Sequence, residues 1–323
     1  MIVISEADAR ELVGVEDAID AVERAFAAMA RQQARNYPVV REVVGYRGAV
    51  FGVKTGCDTA LPLLGLKAGG YWPGNMSAGL GNHQSATLLF DPETGRASAL
   101  VSANYLTGIR TGAAGAIATR YLARPDSSVL GLIGAGVQSL HQLRATLAVR
   151  PIRSVHAWNP SAGKLAALGR EVEQLGLAFT AEDSCEAVAN KADVLITVTP
   201  SQKPLVEASW VRPGTHINAM GADTRGKQEL DPLLVAGAAV FVDEAAQAIS
   251  IGECQHAFQA GLVTEGSFRG SIGEVIAGLC PGRRSDSEIT LFDGTGVALQ
   301  DLAVADLAVR IARQRGIGSV VAY

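Results

Sequence analysis

The feature that most constrains this fold is the alternation of short apolar runs with helical segments in the second half of the chain. Two of the intervening segments, 137–148 and 162–175, show helical periodicity. Near-continuous apolar runs are typical of a parallel sheet that is covered on both faces. The pattern therefore predicts a doubly wound α/β domain of the Rossmann type. The runs lie at residues 128–133, 154–158, 194–199, 216–220 and 240–243.

The first part of the chain has a different pattern. Residues 14–34 carry apolar side chains at helical spacing, which predicts an amphipathic first helix. Short β-rich runs separated by Gly, Pro and Asn then predict a mostly antiparallel sheet, and thus an α+β domain. An alanine-rich helix is expected at 105–123, and a last helix at 296–315 could belong to either domain. The β-rich runs are 38–44, 49–53, 63–68, 85–90 and 97–102.

A glycine-rich loop follows the first apolar run of the second domain. Gly134, Gly136 and Ser139 form a G-x-G-x-x-S pattern directly after a predicted strand and before a predicted helix. The first glycine permits a tight turn, and the second lets the backbone approach a pyrophosphate resting on the helix N-terminus. A turn without any ligand is the alternative, but the surrounding strands and helices favour a dinucleotide site.

The end of the next predicted strand bears on the choice of cofactor. NAD enzymes commonly place Asp or Glu there to hold the ribose diol, whereas this chain has Asn159. Asn159 could still hydrogen-bond the diol, and no Arg follows immediately to meet a 2′-phosphate. The sequence therefore favours NAD modestly, with NADP not excluded.

Composition excludes several classes of function. The chain has 28 Lys and Arg against 32 Asp and Glu, for a net charge of −4, with the two signs interspersed. We expect no nucleic-acid partner and no polybasic membrane anchor. No apolar stretch reaches the roughly 18 residues of a membrane helix, and Glu6 and Asp8 lie where a signal peptide would be basic, so we expect a cytoplasmic protein. The four cysteines and five histidines are scattered, which predicts no metal site.

Several segments together resemble the ornithine cyclodeaminase/μ-crystallin family over nearly the whole chain. They are residues 106–114 (LTGIRTGAA), the glycine loop with Gln138, residues 221–230 (GADTRGKQEL) and residues 293–301 (DGTGVALQD). Within the family, residues 36–41, 67–73, 82–85 and 252–256 look most like the iminosuccinate-reducing members.

The resemblance implies a homodimer with two domains and an active site in the cleft between them. A substrate-binding and dimerisation domain would span residues 1–120 and take up the C-terminal helix at 297–323, and a Rossmann domain would span 121–296. It also implies that Arg41, Lys67 and Arg110 bind the substrate carboxylate, that Asp223 and Lys67 are the catalytic residues, and that Asp223 donates and accepts the proton. Cofactor contacts would come from both backbone and side chains, namely Arg110, Thr111, Gly134, Gly136, Val137, Gln138, Asn159, Thr199, Met220, Gly221, Asp223, Lys227 and Asp293.

These residue types suit reduction of an imino acid. Arginine offers a planar fork for a carboxylate, and lysine adds a compact charge. Asp223 follows a predicted strand, at the edge where α/β sheets bind ligands, and partial desolvation would raise its pKa toward proton transfer. Each residue alone has a structural alternative: Asp223 could cap a turn, Lys67 could be a surface lysine, and Arg110 could pair with a surface acid.

One departure from the family pattern points to the substrate. Ornithine-cyclising members use an acid about eleven positions after the first arginine to hold the distal amine, whereas residues 51–54 read Phe-Gly-Val-Lys here. Lys54 and His83 could instead meet a second carboxylate. We therefore expect reduction of iminosuccinate to aspartate by a nicotinamide cofactor.

Other functions stay open from the sequence. An ornithine cyclodeaminase, an alanine-dehydrogenase-like enzyme or a cyclic-imine reductase would use the same scaffold, and the last two predict that Lys54 and His83 face away from the substrate. A non-catalytic NAD(P)H-binding protein of the μ-crystallin type is the alternative of another class. Retention of Asp223 beside the three cations argues against it.

Overall fold

The computed structural model describes residues 1–322, which form two compact units. Unit 1 contains Met1–Arg110 and the segment from Val297 onward, and unit 2 is Thr111–Gly296. The sequence sets the domain boundary at residue 120, whereas the structure divides the chain earlier, inside one long helix. No helix in residues 1–322 is both long and apolar enough to span a membrane.

The helices and strands are numbered in chain order. The helices are α1 (Glu6–Leu12), α2 (Val15–Ala30), α3 (Asn104–Leu122), α4 (Val137–Leu147), α5 (Ala162–Gln174), α6 (Cys185–Ala189), α7 (Pro232–Gly237), α8 (Ala245–Ser250), α9 (Gln255–Gln259), α10 (Ile272–Ile276) and α11 (Ala298–Arg315). The strands are β1 (Ile2–Ile4), β2 (Ala34–Asn36), β3 (Val40–Val43), β4 (Val50–Asp58), β5 (Leu63–Tyr71), β6 (His83–Phe90), β7 (Ala97–Ser102), β8 (Val129–Ile133), β9 (Ser154–Trp158), β10 (Ala178–Ala181), β11 (Val194–Thr197), β12 (Gln202–Val206), β13 (His216–Ala219), β14 (Gln228–Leu230), β15 (Ala239–Val242), β16 (Gly270–Ser271), β17 (Thr290–Asp293) and β18 (Ser319–Val320).

Unit 1 is built on one sheet with the order β18-β1-β7-β6-β5-β4-β2, and β3 also pairs with β4. Strands β4 to β7 form an antiparallel meander, as the sequence predicts, while β1 joins β7 in parallel. The amphipathic α2 buries Ile19, Val22 and Phe26, each about 1% exposed or less. Its alternation of buried and charged positions is what the sequence pattern predicts.

The last helix, which the sequence leaves between two domains, belongs to unit 1. Strands β4 and β5 carry glycines on the face that α11 covers. A Cβ on Gly65 would lie 2.9 Å from Leu302 Cδ2 and 3.0 Å from Leu89 Cδ2, so only glycine lets the leucines pack this closely. This contact fixes the first turns of α11 against the sheet.

Unit 2 is built on an eight-stranded parallel sheet with the order β10-β9-β8-β11-β13-β17-β15-β16. The doubly wound α/β fold expected from the apolar runs is therefore confirmed. Strand β17, which lies between β13 and β15, is absent from the sequence-based prediction. The sheet core is apolar, with Leu130, Leu195 and Ile217 fully buried.

Candidate active site

A row of polar side chains crosses the sheet of unit 1. Lys54 on β4 pairs directly with Lys67 on β5, and Lys67 pairs with Thr87 on β6. Directly paired residues of antiparallel strands point to the same face. Gly52 is two residues from Lys54 and pairs with Arg41 on β3, so Arg41 belongs to this face as well. The register thus brings three predicted cations together on one face.

Helices α3 and α11 add polar groups to this face. Lys67 Nζ donates to Asp301 Oδ1 at 2.8 Å and to Thr107 Oγ1 at 3.3 Å. Arg110 Nε donates to the same Asp301 oxygen at 2.9 Å, and Arg110 Nη1 donates to Gln300 Oε1 at 2.9 Å. We call Arg41, Lys54, Lys67 and Arg110 the cationic cluster. The surface-lysine alternative for Lys67 and the surface-acid alternative for Arg110 are wrong, because both side chains and Asp301 are buried.

Burial and mutual repulsion change the protonation of this cluster. Burial, then Arg110 and Lys67, lower the pKa of Lys54 to about 7. Burial also lowers the pKa of Lys67 to about 8, against the opposing effect of Asp301. Burial alone would raise the pKa of Asp301, but Arg110, Lys67 and Lys54 hold it at about 2. The cluster therefore gains cationic charge as the pH falls through 8 and 7, while Asp301 stays ionised.

Several buried polar atoms at this face have no hydrogen-bond partner within the described residues. They are Thr87 Oγ1, Gln300 Nε2 and Asp301 Oδ2. Unpaired buried polar groups are costly in a finished core and are common where a ligand binds. Donors and acceptors beside a cluster of cations suit a small molecule that carries both carboxylate and nitrogen.

His83, the other residue predicted to bind substrate, lies farther along the sheet. It is the first residue of β6, is exposed, and pairs with Tyr71. It lies four positions before Thr87, which corresponds to roughly 13 Å along a strand. His83 therefore shares the face of Lys54 and Lys67, and its contact with the substrate stays a prediction.

The glycine loop of unit 2 has the geometry of a dinucleotide site. Gly134 has φ +111°, and a Cβ there would lie 2.8 Å from the Val198 carbonyl oxygen. Gly136 caps α4, and a Cβ on it would meet no atom within 4 Å, which leaves open space over the helix N-terminus. Gln138 Oε1 is buried without a partner among the described residues, and Val137 is 82% exposed. These residues fit a dinucleotide pyrophosphate and its neighbouring groups.

Other predicted cofactor residues surround this loop in unit 2. Asn159 Oδ1 accepts from Ala135 N at 3.1 Å, so Asn159 also shapes the loop. The Thr111 carbonyl accepts from Gln142 Nε2 at 2.9 Å, which ties α3 to α4. Thr199 is partly exposed after β11, at the carboxyl edge of the sheet, while Met220 is 7% exposed after β13.

Asp223 lies in the loop between β13 and β14. Its Oδ1 accepts from Lys227 Nζ at 2.7 Å and from Thr224 Oγ1 at 3.1 Å. Its side chain is 38% exposed, so the carboxylate is ion-paired and partly open to solvent. Gln255, which is fully buried, holds the loop by accepting from Gly226 N and donating to the Thr224 and Lys227 carbonyls.

Glu229 is a site residue that the sequence analysis does not identify. Its fully buried carboxylate accepts from Thr199 N at 2.6 Å, Gly221 N at 2.9 Å and Thr197 Oγ1 at 2.8 Å. Burial raises its pKa. Glu253 in turn accepts from the Glu229 and Leu230 amides. Glu229 therefore joins the ends of β11 and β13, beside two predicted cofactor contacts.

Asp293 has a different setting from the other predicted cofactor residues. It is 0% exposed, and its Oδ2 accepts from Cys254 N at 3.0 Å. Burial raises its pKa to about 7. Its Oδ1 is buried without a hydrogen-bond partner within the described residues, so the cofactor contact of Asp293 stays a prediction.

Asp301 and Gln300 are the other residues that the sequence analysis does not assign to the site. Both lie in the segment 293–301 that carries the family resemblance, but their partners are far away in sequence. Lys67 and Asp301 are separated by 234 residues. Only the folded sheet and helix bring them together.

The parallel sheet and the glycine loop define a two-unit α/β protein of the Rossmann class, whose other unit contains the buried cationic cluster. The family model that matches the chain is "Ornithine cyclodeaminase/mu-crystallin family", over residues 1–314. The chain belongs to this family.

Individual relatives cover nearly the full length. An iminosuccinate reductase of Paracoccus denitrificans is 50% identical over 321 residues, which cover 99% of each chain. A crystal structure of the iminosuccinate reductase of this organism in complex with NAD+ matches with a TM-score of 0.95 and 49% identity, over 100% of this chain and 99% of the other. An archaeal alanine dehydrogenase dimer with bound NAD matches with a TM-score of 0.95 and 38% identity, over 100% and 99%.

Proposed function

We propose that this chain is an NAD-dependent reductase that converts iminosuccinate to aspartate. The observation that carries the proposal is the buried pairing of Lys54 with Lys67, beside Arg110, on one face of unit 1. Burying several cations is unfavourable unless anions meet them. A substrate with two carboxylates supplies two such anions, one for Lys67 and Arg110 and one for the neighbouring Lys54.

The proposed cofactor is NAD, bound at the glycine loop of unit 2. Gly134, Gly136 and the N-terminus of α4 would hold the pyrophosphate, and Gln138 and Asn159 would meet neighbouring polar groups. The similarity to two proteins whose structures contain NAD+ or NAD supports this choice. When bound in its reduced form, this cofactor supplies the hydride that the imine carbon accepts.

The proposed role of the cationic cluster is to bind and orient the substrate. Lys67 and Arg110 would hold the carboxylate next to the imine, with Arg41 as a further contact, and Lys54 would hold the second carboxylate. Fixing both ends restricts rotation of the substrate, and such positioning contributes much of the rate of hydride transfer. Charge-assisted hydrogen bonds to buried lysine and arginine are strong enough to do this.

Asp223 is the proposed proton donor. Reduction adds a hydride to the imine carbon and a proton to the nitrogen, so the C=N double bond becomes a C–N single bond. The pairing of Asp223 with Lys227 supports a role for Lys227 in orienting this carboxylate. In the reverse direction the same carboxylate would accept the proton.

An alanine-dehydrogenase activity is the second candidate, favoured by the similarity to the archaeal enzyme. It requires a substrate with one carboxylate and no role for Lys54. The position of Lys54 beside Lys67 supports the dicarboxylate instead, and the absence of a nearby acid in residues 51–54 weighs against ornithine.

Steady-state assays test the proposal. NADH oxidation is measured with oxaloacetate plus ammonia, which generate iminosuccinate, and with pyruvate plus ammonia, while ornithine is tested for turnover with NAD+. We expect the highest kcat/KM with iminosuccinate, a preference for NADH over NADPH, and loss of turnover in Asp223→Ala. Equal or better turnover of ornithine would contradict the proposed substrate.

We also propose that the enzyme works in the cytoplasm, where NADH is available, and as a homodimer. The dimeric state of the archaeal alanine dehydrogenase supports the second point. Sedimentation velocity would test it, and a monomer at micromolar concentration would contradict it.

A further inference from the structure

Asp301 is the acid that contacts the cationic cluster directly. It lies in the first turn of α11 and is 3% exposed. One of its oxygens, Oδ1, accepts from both Lys67 Nζ and Arg110 Nε, at 2.8 and 2.9 Å. Lys67 on β5 and Arg110 on α3 therefore share one hydrogen-bond acceptor, Asp301 Oδ1.

The position of Asp301 itself is fixed by the fold of unit 1. Leu302 packs over Gly65, and Leu299 packs over Gly56 on the same face of the sheet. The Leu299 amide also donates to Asn36 Oδ1 at 3.1 Å. An acid in the first turn of a helix is further stabilised by the helix dipole. The carboxylate is thus held by rigid elements on both sides.

We propose that Asp301 is the positioning residue of the substrate site, which sets the spacing of Lys67 and Arg110 and keeps Lys67 charged for binding a dicarboxylate. The inference rests on the proposed function. Asp301 acts through the two cations and is not assigned a contact with the reacting atoms.

The charges around Lys67 support this role. Burial, then Arg110 from α3 and Arg41 from β3, lower the pKa of Lys67, and Lys67 in turn lowers the pKa of Lys54 on β4. Asp301 from α11 is the group that raises the pKa of Lys67, which nevertheless stays at about 8. Without Asp301, Lys67 would lose its proton at a lower pH, and the site would lose a cation near neutrality.

The orientation of both cations depends on the same helix. Arg110 is held by Asp301 and by Gln300, which is the preceding residue of α11, while Lys67 is also held by Thr107. Asp301 Oδ1 is thus the shared contact between the two cations. Moving it would change their relative positions even when both remain charged.

The test compares Asp301→Asn and Asp301→Glu with Asp306→Asn, a control on the same helix where Asp306 pairs with the exposed Arg310. The reaction is followed in the direction of aspartate oxidation with NAD+. For Asp301→Asn we expect the alkaline fall in kcat/KM to move to lower pH by about one unit or more. The KM for aspartate at pH 8 should rise about 10-fold or more, while the Kd for NADH is unchanged.

The glutamate variant separates charge from position. Asp301→Glu keeps the negative charge but moves it by one methylene, so we expect a wild-type pH profile with a raised KM. If both variants lower the melting temperature without moving either the pH profile or the KM, the proposed role is overturned. A shifted pH profile in Asp306→Asn would also overturn it.

A second readout separates this inference from the proposed reaction. Protein labelled with [ε-13C]lysine is titrated by NMR, and the Lys67 signal is assigned with Lys67→Met. We expect this signal to titrate at lower pH in Asp301→Asn and at the wild-type pH in Asp301→Glu. If Asp301→Asn does not fold, Asp301→Glu still tests the inference, because a Lys67 signal that titrates away from the wild-type pH in Asp301→Glu contradicts it. Unchanged titration in a folded Asp301→Asn overturns the inference, whereas a shift without any turnover of aspartate or iminosuccinate overturns only the proposed function.

Discussion

At the scale of single residues, the main feature of the unit 1 sheet is a pair of buried lysines. Lys54 and Lys67 are 6% and 7% exposed and are paired across β4 and β5. Two like charges directly opposite one another destabilise a sheet, so their presence has a functional explanation in the proposed binding of a dianion.

Replacement of Lys54 tests the second-carboxylate assignment. Lys54→Met keeps the length and removes the charge, so the ratio of kcat/KM for aspartate over alanine should fall by about 10-fold or more, the value of one hydrogen bond to a charged group. The measurement is oxidation of each amino acid with NAD+. Lys203→Met, at an exposed lysine on β12, is the control. An unchanged ratio would show that Lys54 does not distinguish the substrates.

The pH dependence of binding follows from the same two residues. Their pKa values are lowered to about 7 and about 8, so the charged forms are present below these values and are lost as the pH rises through them. The kcat/KM for aspartate, which reports the free enzyme, should therefore fall across pH 7 to 8. In Lys54→Met only the higher transition should remain. A flat profile to the upper end of this range would contradict the assignment.

At the scale of elements, the five long helices and ten of the 18 strands in residues 1–322 could be predicted from the sequence. The meander β4 to β7 and the α/β alternation follow from apolar periodicity, and β7 and β9 have the predicted bounds. Strand β17 could not be found in the same way, because Thr290–Asp293 is short and has polar residues at both ends. Its place between β13 and β15 depends on long-range pairing.

The residues of the candidate site also include some that could be predicted from the sequence and some that could not. The glycine loop and Asp223 could be found because their chemistry is local and follows a strand. Asp301 and Glu229 could not, since Asp301 contacts residues of distant elements, and Glu229 accepts from backbone amides just after β11 and β13 that no side-chain pattern reveals. The segments that resemble the family contain both residues without indicating what they contact.

The glycine loop between β8 and α4 offers a matched pair of substitutions. Gly134→Ala puts a Cβ at positive φ and against Val198, so we expect a loss of about 1–3 kcal/mol in the free energy of unfolding. Gly136 has φ −88° and open space around it, so Gly136→Ala should fold normally but bind NADH more weakly, because its Cβ occupies the space proposed for the pyrophosphate.

Chemical denaturation and fluorescence titration with NADH measure these two effects. We expect the free energy of unfolding to fall mainly in the Gly134 variant, and the affinity for NADH to fall in the Gly136 variant at constant stability. Wild-type NADH affinity in Gly136→Ala would argue against a pyrophosphate at this loop.

At the scale of the whole molecule, the two units carry different parts of the proposed reaction. Unit 1 contains the cationic cluster with Asp301, and unit 2 contains the glycine loop, the Asp223 loop and the buried Glu229. Each function therefore has its own readout: amino-acid specificity and its pH dependence report on unit 1, and nucleotide affinity reports on unit 2.

The most direct test of the central claim is a crystal structure of the protein with NAD+ and aspartate. The account predicts one aspartate carboxylate at hydrogen-bond distance from Lys67 and Arg110, and the other at hydrogen-bond distance from Lys54. An aspartate bound with its side-chain carboxylate in solvent, or with Lys54 contacting only protein groups, would contradict it.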